Sequence, residues 1–599
     1  MVKKTVPIDY TSRDFESIKT DLLNYVRRYY PNTYKDFNEA SFGSLMLDLV
    51  SYVGDSLSFY LDYNANESFL KTSLEYENVL NHVKQLGFKY NPNRSSVGYV
   101  DIYMPVPSKP GMEVAPDTDY LPKILKGATF STKSGNIFTL NENIDFYSEE
   151  VELIADKISS DDGSATEWYI LKSQAQVVSG EQRQALVEIE EFKRFLKIEV
   201  PHSNICEVLK VEDSEGNEYY EVDYLSQNTV FRPIINVESG DKYNPSIMKA
   251  FPVPRRFITE REGEKTYLVF GYGSEADLKS NKIVDPSEVA MKIDGKNYIS
   301  NLLFDPTVLI SSDKFGVTPV NTTLTITYRL NTVENVNAAV GALNSVTNAE
   351  IEFRNEQILD SGKLSYIRQN FQVYNEEPIN GDITVPTTEE IKKRASALFA
   401  SQGRAVTIRD YVSSIYAMPA NFGSVKRCAV YRDNDDFRRN INMYIVSEGT
   451  DMKLQPSSAA LKNNLRTWLN SIRMVSDSID ILDAVIINLG IDFEIITQDN
   501  INKNVVYSKA RQKIYEELSE IPPEIGEHFY ISEIFRILKE IDEILDVVSV
   551  TVRSISEEGY SDFQHPIEDN MSPEGRVLYI PNNCIWELKY IQDVKGMVR

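Results

Sequence analysis

The spacing of apolar positions changes twice along this chain. Up to about residue 92 it is helical. Phe15, Ile18, Leu22, Val26 and Tyr29 mark one stripe, closed by Pro31, and Phe42, Leu45, Leu49, Val53, Leu57 and Tyr60 mark a second. A third stripe, Tyr76, Val79, Val83 and Leu86, stops at Gly87. Thr11 with Asp14, and Thr72 with Glu75, have capping-box spacing and predict helix starts. From Val97 to about Leu330 the period falls to two, in short runs split by Pro, Gly, Asn and Asp. The clearest strand places Leu324, Ile326, Tyr328 and Leu330 on one face and Thr323, Thr325, Thr327 and Arg329 on the other. Asp213-Ser214-Glu215-Gly216-Asn217 reads as a hairpin turn.

Residues 336–360 read as helical or mixed, and Glu376 to Pro386 as a polar linker containing Asn380-Gly381-Asp382. Beyond Thr387 the two periods alternate. Helices are expected near 389–400, 408–417, 457–473, 504–519 and 532–541, and strands near 425–431, 441–446, 480–496 and 546–553. The fold expected is multi-domain α+β: a helical arm or bundle over 1–96, a mainly-β domain over 97–335 and a linker region over 336–387. An α/β domain over 388–478, a second α/β unit over 479–553 and a β-containing tail over 554–599 complete it. The arm is expected to be separable, so that a fragment lacking 1–92 still folds.

The helical stripes hold more aromatic side chains than a minimal bundle needs. Phe42, Leu49, Phe59 and Phe69 are candidate interface positions, although an ordinary core would also account for such a stripe. Trp586, in the punctuated C-terminal tail, is the candidate for a second contact.

Composition narrows the function. At 599 residues the chain needs several cores, and 42% hydrophobic with 25% charged residues is ordinary for globular domains. The balance of 63 basic against 89 acidic residues, net −26, argues against nucleic-acid binding, which needs a basic footprint. No apolar run reaches the ~18 residues of a membrane span, and the start Met1 to Tyr10 has no apolar signal core. Neither direct membrane contact nor secretion is expected. Three widely spaced cysteines, Cys206, Cys428 and Cys584, form no disulfide framework, which fits a reducing cytoplasm.

Catalytic chemistry finds little support. The four histidines, His82, His202, His528 and His565, stand in no metal-binding spacing, and no zinc, EF-hand or nucleophile-elbow motif occurs. Gly271-Tyr272-Gly273-Ser274 follows a strand but lacks the rest of a phosphate loop, so it reads as a turn. Acidic pairs such as Glu149/Glu150, Asp161/Asp162, Glu190/Glu191 and Asp435/Asp436 are too common in so acidic a chain to mark a glycosidase. No catalytic, cofactor-binding or metal-binding residue is assigned, and no cofactor is expected.

One segment is more specific. Arg404-Ala405-Val406-Thr407, followed by Asp410 and Tyr411, places a T-x-x-D capping box at a helix start with Tyr411 and Ile415 on one face. With its flanks it resembles the baseplate J-like proteins of contractile-tailed bacteriophages and related injection machines. The resemblance extends to Asp36 through Leu45, Gly54 to Leu57 and Asn66 to Leu70, which look like a helical entry region. It extends also to Phe304-Asp305-Pro306 through Gly316 into the strand Leu324 to Arg329, and to Asn583 through Leu588, similar to the large inner-ring wedge member. The family's two-glycine pattern is reduced here to Asn380-Gly381-Asp382.

The resemblance implies a non-enzymatic virion protein, made in the host cytoplasm and built into the tail baseplate. Its implied partners are other copies of itself, neighbouring wedge proteins of sheath-initiator-like and clamp-like type, and the central tail hub. It further implies six-fold rings that couple baseplate rearrangement to sheath contraction, with rigid domains reorienting about linkers such as 376–387. The alternatives are a tail-associated glycan-binding or glycan-degrading protein, or the equivalent subunit of a phage-derived contractile injection system.

Overall fold

The computed structural model describes residues 14–30, 38, 41–89, 94–109, 112–147, 151–158, 166–235, 246–263, 265–274, 315–331, 336–382, 386–432, 440–498, 501–520, 523–557 and 559–599. Thr11, Pro31, the Asp36 to Ala40 block except Asn38, Phe304 to Lys314, and the pairs Glu149/Glu150, Asp161/Asp162 and Asp435/Asp436 lie outside them. The chain forms two compact units, Met1–Tyr90 with Pro386–Gln402, and Asn91–Val385 with Gly403–Arg599.

The smaller unit is helical. Ser41 caps helix Phe42–Glu67 by accepting a hydrogen bond from the Ser44 amide at 3.1 Å. Helix Phe15–Tyr29 lies against it, with Ile18 Cδ1 3.3 Å from where a Gly54 Cβ would stand and Lys19 paired to Asp48 at 2.7 Å. Glu67 is buried where the long helix ends. It accepts the Leu74 amide and the Asn78 side chain, each at 2.8 Å, and these bonds hold its carboxyl below the usual range. The Thr72/Glu75 capping box does not form. The Thr72 hydroxyl donates instead to the Asn66 carbonyl at 2.6 Å, because the chain is still turning there.

Helix Tyr76–Gln85 packs on helix Thr388–Ser401 through Val79, Val83, Phe88, Ile391 and Ala395. The later helix was expected in the α/β domain. Its apolar side is covered by the N-terminal helices instead, so removing 1–92 would leave Ile391 and Ala395 bare.

The larger unit begins with an eight-stranded antiparallel sheet. Val97–Lys109 runs beside Thr166–Ser179, and the strands Thr129–Thr132, Ile137–Leu140, Glu152–Ile158, Met112–Pro116, Leu343–Asn348 and Gln372–Tyr374 extend it. A seven-stranded sheet follows, with Thr322–Leu330 between Glu181–Ile189 and Ile205–Glu212. Leu324, Ile326, Tyr328 and Leu330 are buried as expected. Arg329, on the face expected to be polar, is also buried, because Glu207 is its partner at 2.5 Å and Gly180 gives it room. The Asp213 turn forms, its carboxylate accepting the amides of Glu215 at 3.0 Å and Asn217 at 2.8 Å.

The described residues 336–382 correct the expectation of a linker over 336–387. Leu343–Asn348 and Ile351–Phe353 are strands, and the helix comes later, at Ser361–Asn370, with Leu364 and Ile367 in the main core. Ile379, Asn380 and Asp382 are buried. Asn and Asp are polar in a window average, yet here the Asp382 carboxylate pairs with Arg94 and Lys426, and Asn380 donates to the Gln455 side chain.

The remainder is α/β. Arg427–Arg432 and Ser478–Asp483 flank Asn440–Glu448, the second in parallel, with helices Ile408–Tyr416 and Ala459–Asn470 covering a shared core. The predicted single strand 480–496 is two, Ser478–Asp483 and Val485–Thr497, which join different sheets. Val485–Thr497 pairs with Ile544–Ser554, and helices Lys503–Glu520 and Ile531–Lys539 complete the last core. The expected tail is part of that core. Cys584–Glu587 and Val594–Val598 both run parallel to Val485–Thr497.

Candidate functional site

Helix Phe42–Glu67 turns its apolar side outward. Its buried residues are Ser44 and Ser51, on the side that meets helix Phe15–Tyr29, and Glu67 at its C-terminal end, which is held by Leu74 and Asn78 instead. Phe42 at 74%, Leu57 at 57%, and Leu45, Leu49, Tyr52, Phe59 and Leu61 are exposed. Met46, Val50, Val53, Leu57 and Tyr60 succeed one another at alternating spacings of four and three, the interval of a coiled-coil seam, and all five are exposed. Two flanking rows, Leu45/Tyr52/Phe59 and Phe42/Leu49, widen that seam. Asp48, Asp55 and Asp62, at seven-residue intervals, border the packed side instead.

Small residues explain the orientation. Ser44, Ser51 and Gly54 let the two helices approach closely, and the large side chains are left for something else. Fully burying such a side chain contributes about 1.5–3 kcal/mol relative to leaving it exposed, and on this face that contribution is unrealised within the chain. Of the predicted interface positions, Phe42, Leu49 and Phe59 lie on it, and Phe69 is exposed just beyond the helix end. Leu49 sits two helical turns from Phe42 on the same row.

Trp586 corrects the reading. It is 7% exposed and meets Phe529 edge-to-face at 4.9 Å between ring centroids, inside the last core. A tryptophan in a loop-rich sequence gave no sign of the parallel strand pairing that buries it.

The Arg404 to Tyr411 segment builds a joint. Thr407 and Asp410 form both bonds of the capping box, with the Thr407 amide donating to Asp410 at 2.7 Å. Ala405 is buried and its amide donates to the Ile472 carbonyl at 3.0 Å. Tyr411 is buried, with its hydroxyl on Asp477. Arg404 and Val406 are exposed. These positions hold the start of one helix to the end of another; they gather no reactive group.

The histidines are engaged in structure. His82 contacts the Glu67 carbonyl at 2.8 Å, His202 the Tyr328 hydroxyl at 2.5 Å, His528 accepts the Ile580 amide at 3.1 Å, and His565 contacts the Tyr579 carbonyl at 3.1 Å. The Gly271 turn has no room for a phosphate. A Cβ there would stand 2.2 Å from the Phe315 carbonyl oxygen, and the Gly273 amide donates to Gly316 at 2.9 Å. Among the described residues no cluster of three or more His, Cys, Asp or Glu could hold a metal ion.

Periodicity missed several buried charges. Burial pushes the carboxyls of Glu207 and Glu587 up, against the partial relief of Arg329 beside the first and the Leu454 amide on the second. Lys172 bridges Asp101 at 3.3 Å and Glu376 at 2.9 Å. Glu207 and Asp101 each lie beside a cation, and Glu587 accepts hydrogen bonds from the Leu454 amide and the Asn488 side chain, arrangements that serve packing.

Comparison with known proteins adds one firm point. Residues 14–85 match the family described as bacteriophage baseplate protein, N-terminal domain. The resemblance to baseplate proteins therefore holds over the helices that carry the exposed seam. No curated protein matches the chain. Among solved structures, the six-fold symmetrised baseplate of the anti-feeding prophage aligns over 95% of this chain and 90% of its own, at 8% identity and a TM-score of 0.26. The type VI secretion system TssK-TssF-TssG baseplate subcomplex aligns over 73% and 96%, at 7% identity and a TM-score of 0.23. Scores this low carry no argument about fold or role.

Proposed function

We propose that this protein is a structural, non-enzymatic subunit of a contractile-tail baseplate, whose N-terminal helices bind neighbouring subunits. One observation carries the reading: the segment that matches a phage baseplate domain, 14–85, is also the segment with an unburied coiled-coil seam. A helix that presents its small side to its own chain and its large apolar side to solvent is built to be completed by another chain.

In this reading the subunit belongs to the wedge, in the inner ring around the tail hub. Its neighbours are further copies of itself and sheath-initiator-like and clamp-like wedge proteins, and the ring passes baseplate rearrangement to the sheath. The virion tail, or the equivalent end of a phage-derived injection machine, is its location. Phe42, Leu49, Phe59 and Phe69 are the contact residues, and the Arg404 to Tyr411 segment is a structural joint.

Electron microscopy of particles carrying an affinity-tagged chain tests this. Label at the baseplate, repeated around the tail axis, is expected. Label confined to tail fibres, or glycan hydrolysis by the purified protein, would overturn it in favour of a glycan-directed role.

A further inference from the structure

The segment 376–382 joins two parts of the larger unit, the β body and the α/β section. On the body side, Ile379 and Ala338 exchange backbone hydrogen bonds at 2.8 and 3.0 Å. On the other side, Gly381 bridges Glu448, and the Asp382 amide donates to Ser424 Oγ at 3.0 Å. Asn380 donates to Gln455 at 3.1 Å, and Asn337 of the body to the Glu448 carbonyl at 2.7 Å.

Four charges close this junction. Arg94, whose carbonyl is held by Asn331 at 2.9 Å, pairs with Asp382. Lys426 lies 3.5 Å from the other Asp382 oxygen and 3.1 Å from Glu448. The side chains of Asp382, Lys426 and Glu448 are 3%, 4% and 7% exposed. Two cations alternate with two anions, so the cluster is neutral as a whole and charged after loss of any one member. A buried charge stripped of its partner is strongly destabilising, whereas the full set is tolerated. Such a cluster contributes little net stability and much geometric selectivity, since only one docking of the two parts pairs all four charges.

We infer that Arg94, Asp382, Lys426 and Glu448 form an electrostatic lock that makes the β body and the α/β section one mechanical body, with 376–382 as its key rather than a hinge. The lock stands independently of the baseplate reading. In a protein that transmits force it would keep strain from being absorbed inside this unit.

Hydrogen exchange of the full chain, followed by mass spectrometry, tests it. In the wild type, amides of 379–382 should exchange as slowly as those of the strand Val97–Lys109. Asp382→Asn should accelerate exchange at 379–382 and at 424–426 together, by about tenfold or more. Asp382→Asn with Arg94→Met, which restores neutrality and leaves Lys426 paired with Glu448, should recover part of that protection. Glu448→Gln, a milder change, should act in the same direction and provides the test if Asp382→Asn fails to fold. Fast exchange at 379–382 in the wild type, acceleration on one side alone, or no response to Asp382→Asn and Glu448→Gln would overturn the lock.

Discussion

The Tyr411 hydroxyl donates to Asp477 Oδ2 at 2.7 Å, tying the helix that follows the Arg404 to Thr407 segment to the loop after helix Ala459–Asn470. The bond joins a buried phenol to a carboxylate, and hydrogen bonds to charged groups contribute about 1.5–3 kcal/mol. Tyr411→Phe keeps the ring and deletes that bond. It should lower the stability of the α/β section by roughly this amount, measured by urea unfolding, while the helix at 408–416 persists through its intact capping box.

The same bond sets an alkaline limit. Burial first, then the bond to Asp477, pushes the Tyr411 hydroxyl up to about 12 from an ordinary 10.0. A group whose folded-state value is raised contributes stability that is fully present below its unfolded value and lost as pH rises through the folded one. Stability should therefore fall between pH 10 and 12 in excess of whatever Tyr411→Phe shows over the same range. Parallel curves for the two proteins would refute the assignment.

The two sides of helix Phe42–Glu67 should respond oppositely to substitution. Leu57→Glu lies on the exposed seam and should leave the free protein's stability within about 0.5 kcal/mol, the usual range for surface changes. It should nonetheless block incorporation into tails in a complementation assay. Ser51→Leu, on the packed side, should cost about 1–3 kcal/mol through overpacking. If Leu57→Glu assembles normally, the seam is not an interface.

Trp586→Ala removes a buried ring that packs on Phe529. A loss of about 3–5 kcal/mol is expected, as for other large aromatic truncations. Calorimetry should show it in the transition of the C-terminal core. A change below 1 kcal/mol would return Trp586 to the surface role read from sequence.

Local signals were read well where one element carries its own signature. Thr407 and Asp410 sit three residues apart at a helix start, and both capping bonds form because they involve backbone of the same turn. The Asp213 turn succeeds for the same reason. Thr72 and Glu75 have identical spacing and form no box, since the chain around them is bent to let Glu67 reach Leu74 and Asn78. Spacing alone cannot show which backbone is already committed elsewhere.

The candidate contacts divide along the same line. Phe42, Leu49 and Phe59 were legible because helical periodicity puts them on one face, and a surplus of large side chains on that face needs no partner list to be noticed. Trp586 was misread because its burial depends on Cys584–Glu587 pairing with a strand about a hundred residues earlier. Asn380 to Asp382 looked like a linker because polarity was averaged, while Asp382 is in fact held by Arg94 and Lys426.

The sequence by itself determined most of the element types outside 336–370, the change from helical to strand period and the excess of apolar surface near the N-terminus. Those properties follow from covalent geometry and side-chain chemistry within a few turns or a few residues. Only the tertiary structure decided which face of helix Phe42–Glu67 is covered, that Thr388–Ser401 packs with the N-terminal helices, and that four distant charges meet at 376–382. Burial and charge pairing arise between residues far apart in the chain. Their free energy depends on the dielectric and the neighbours that folding creates, and neither is written at any single position.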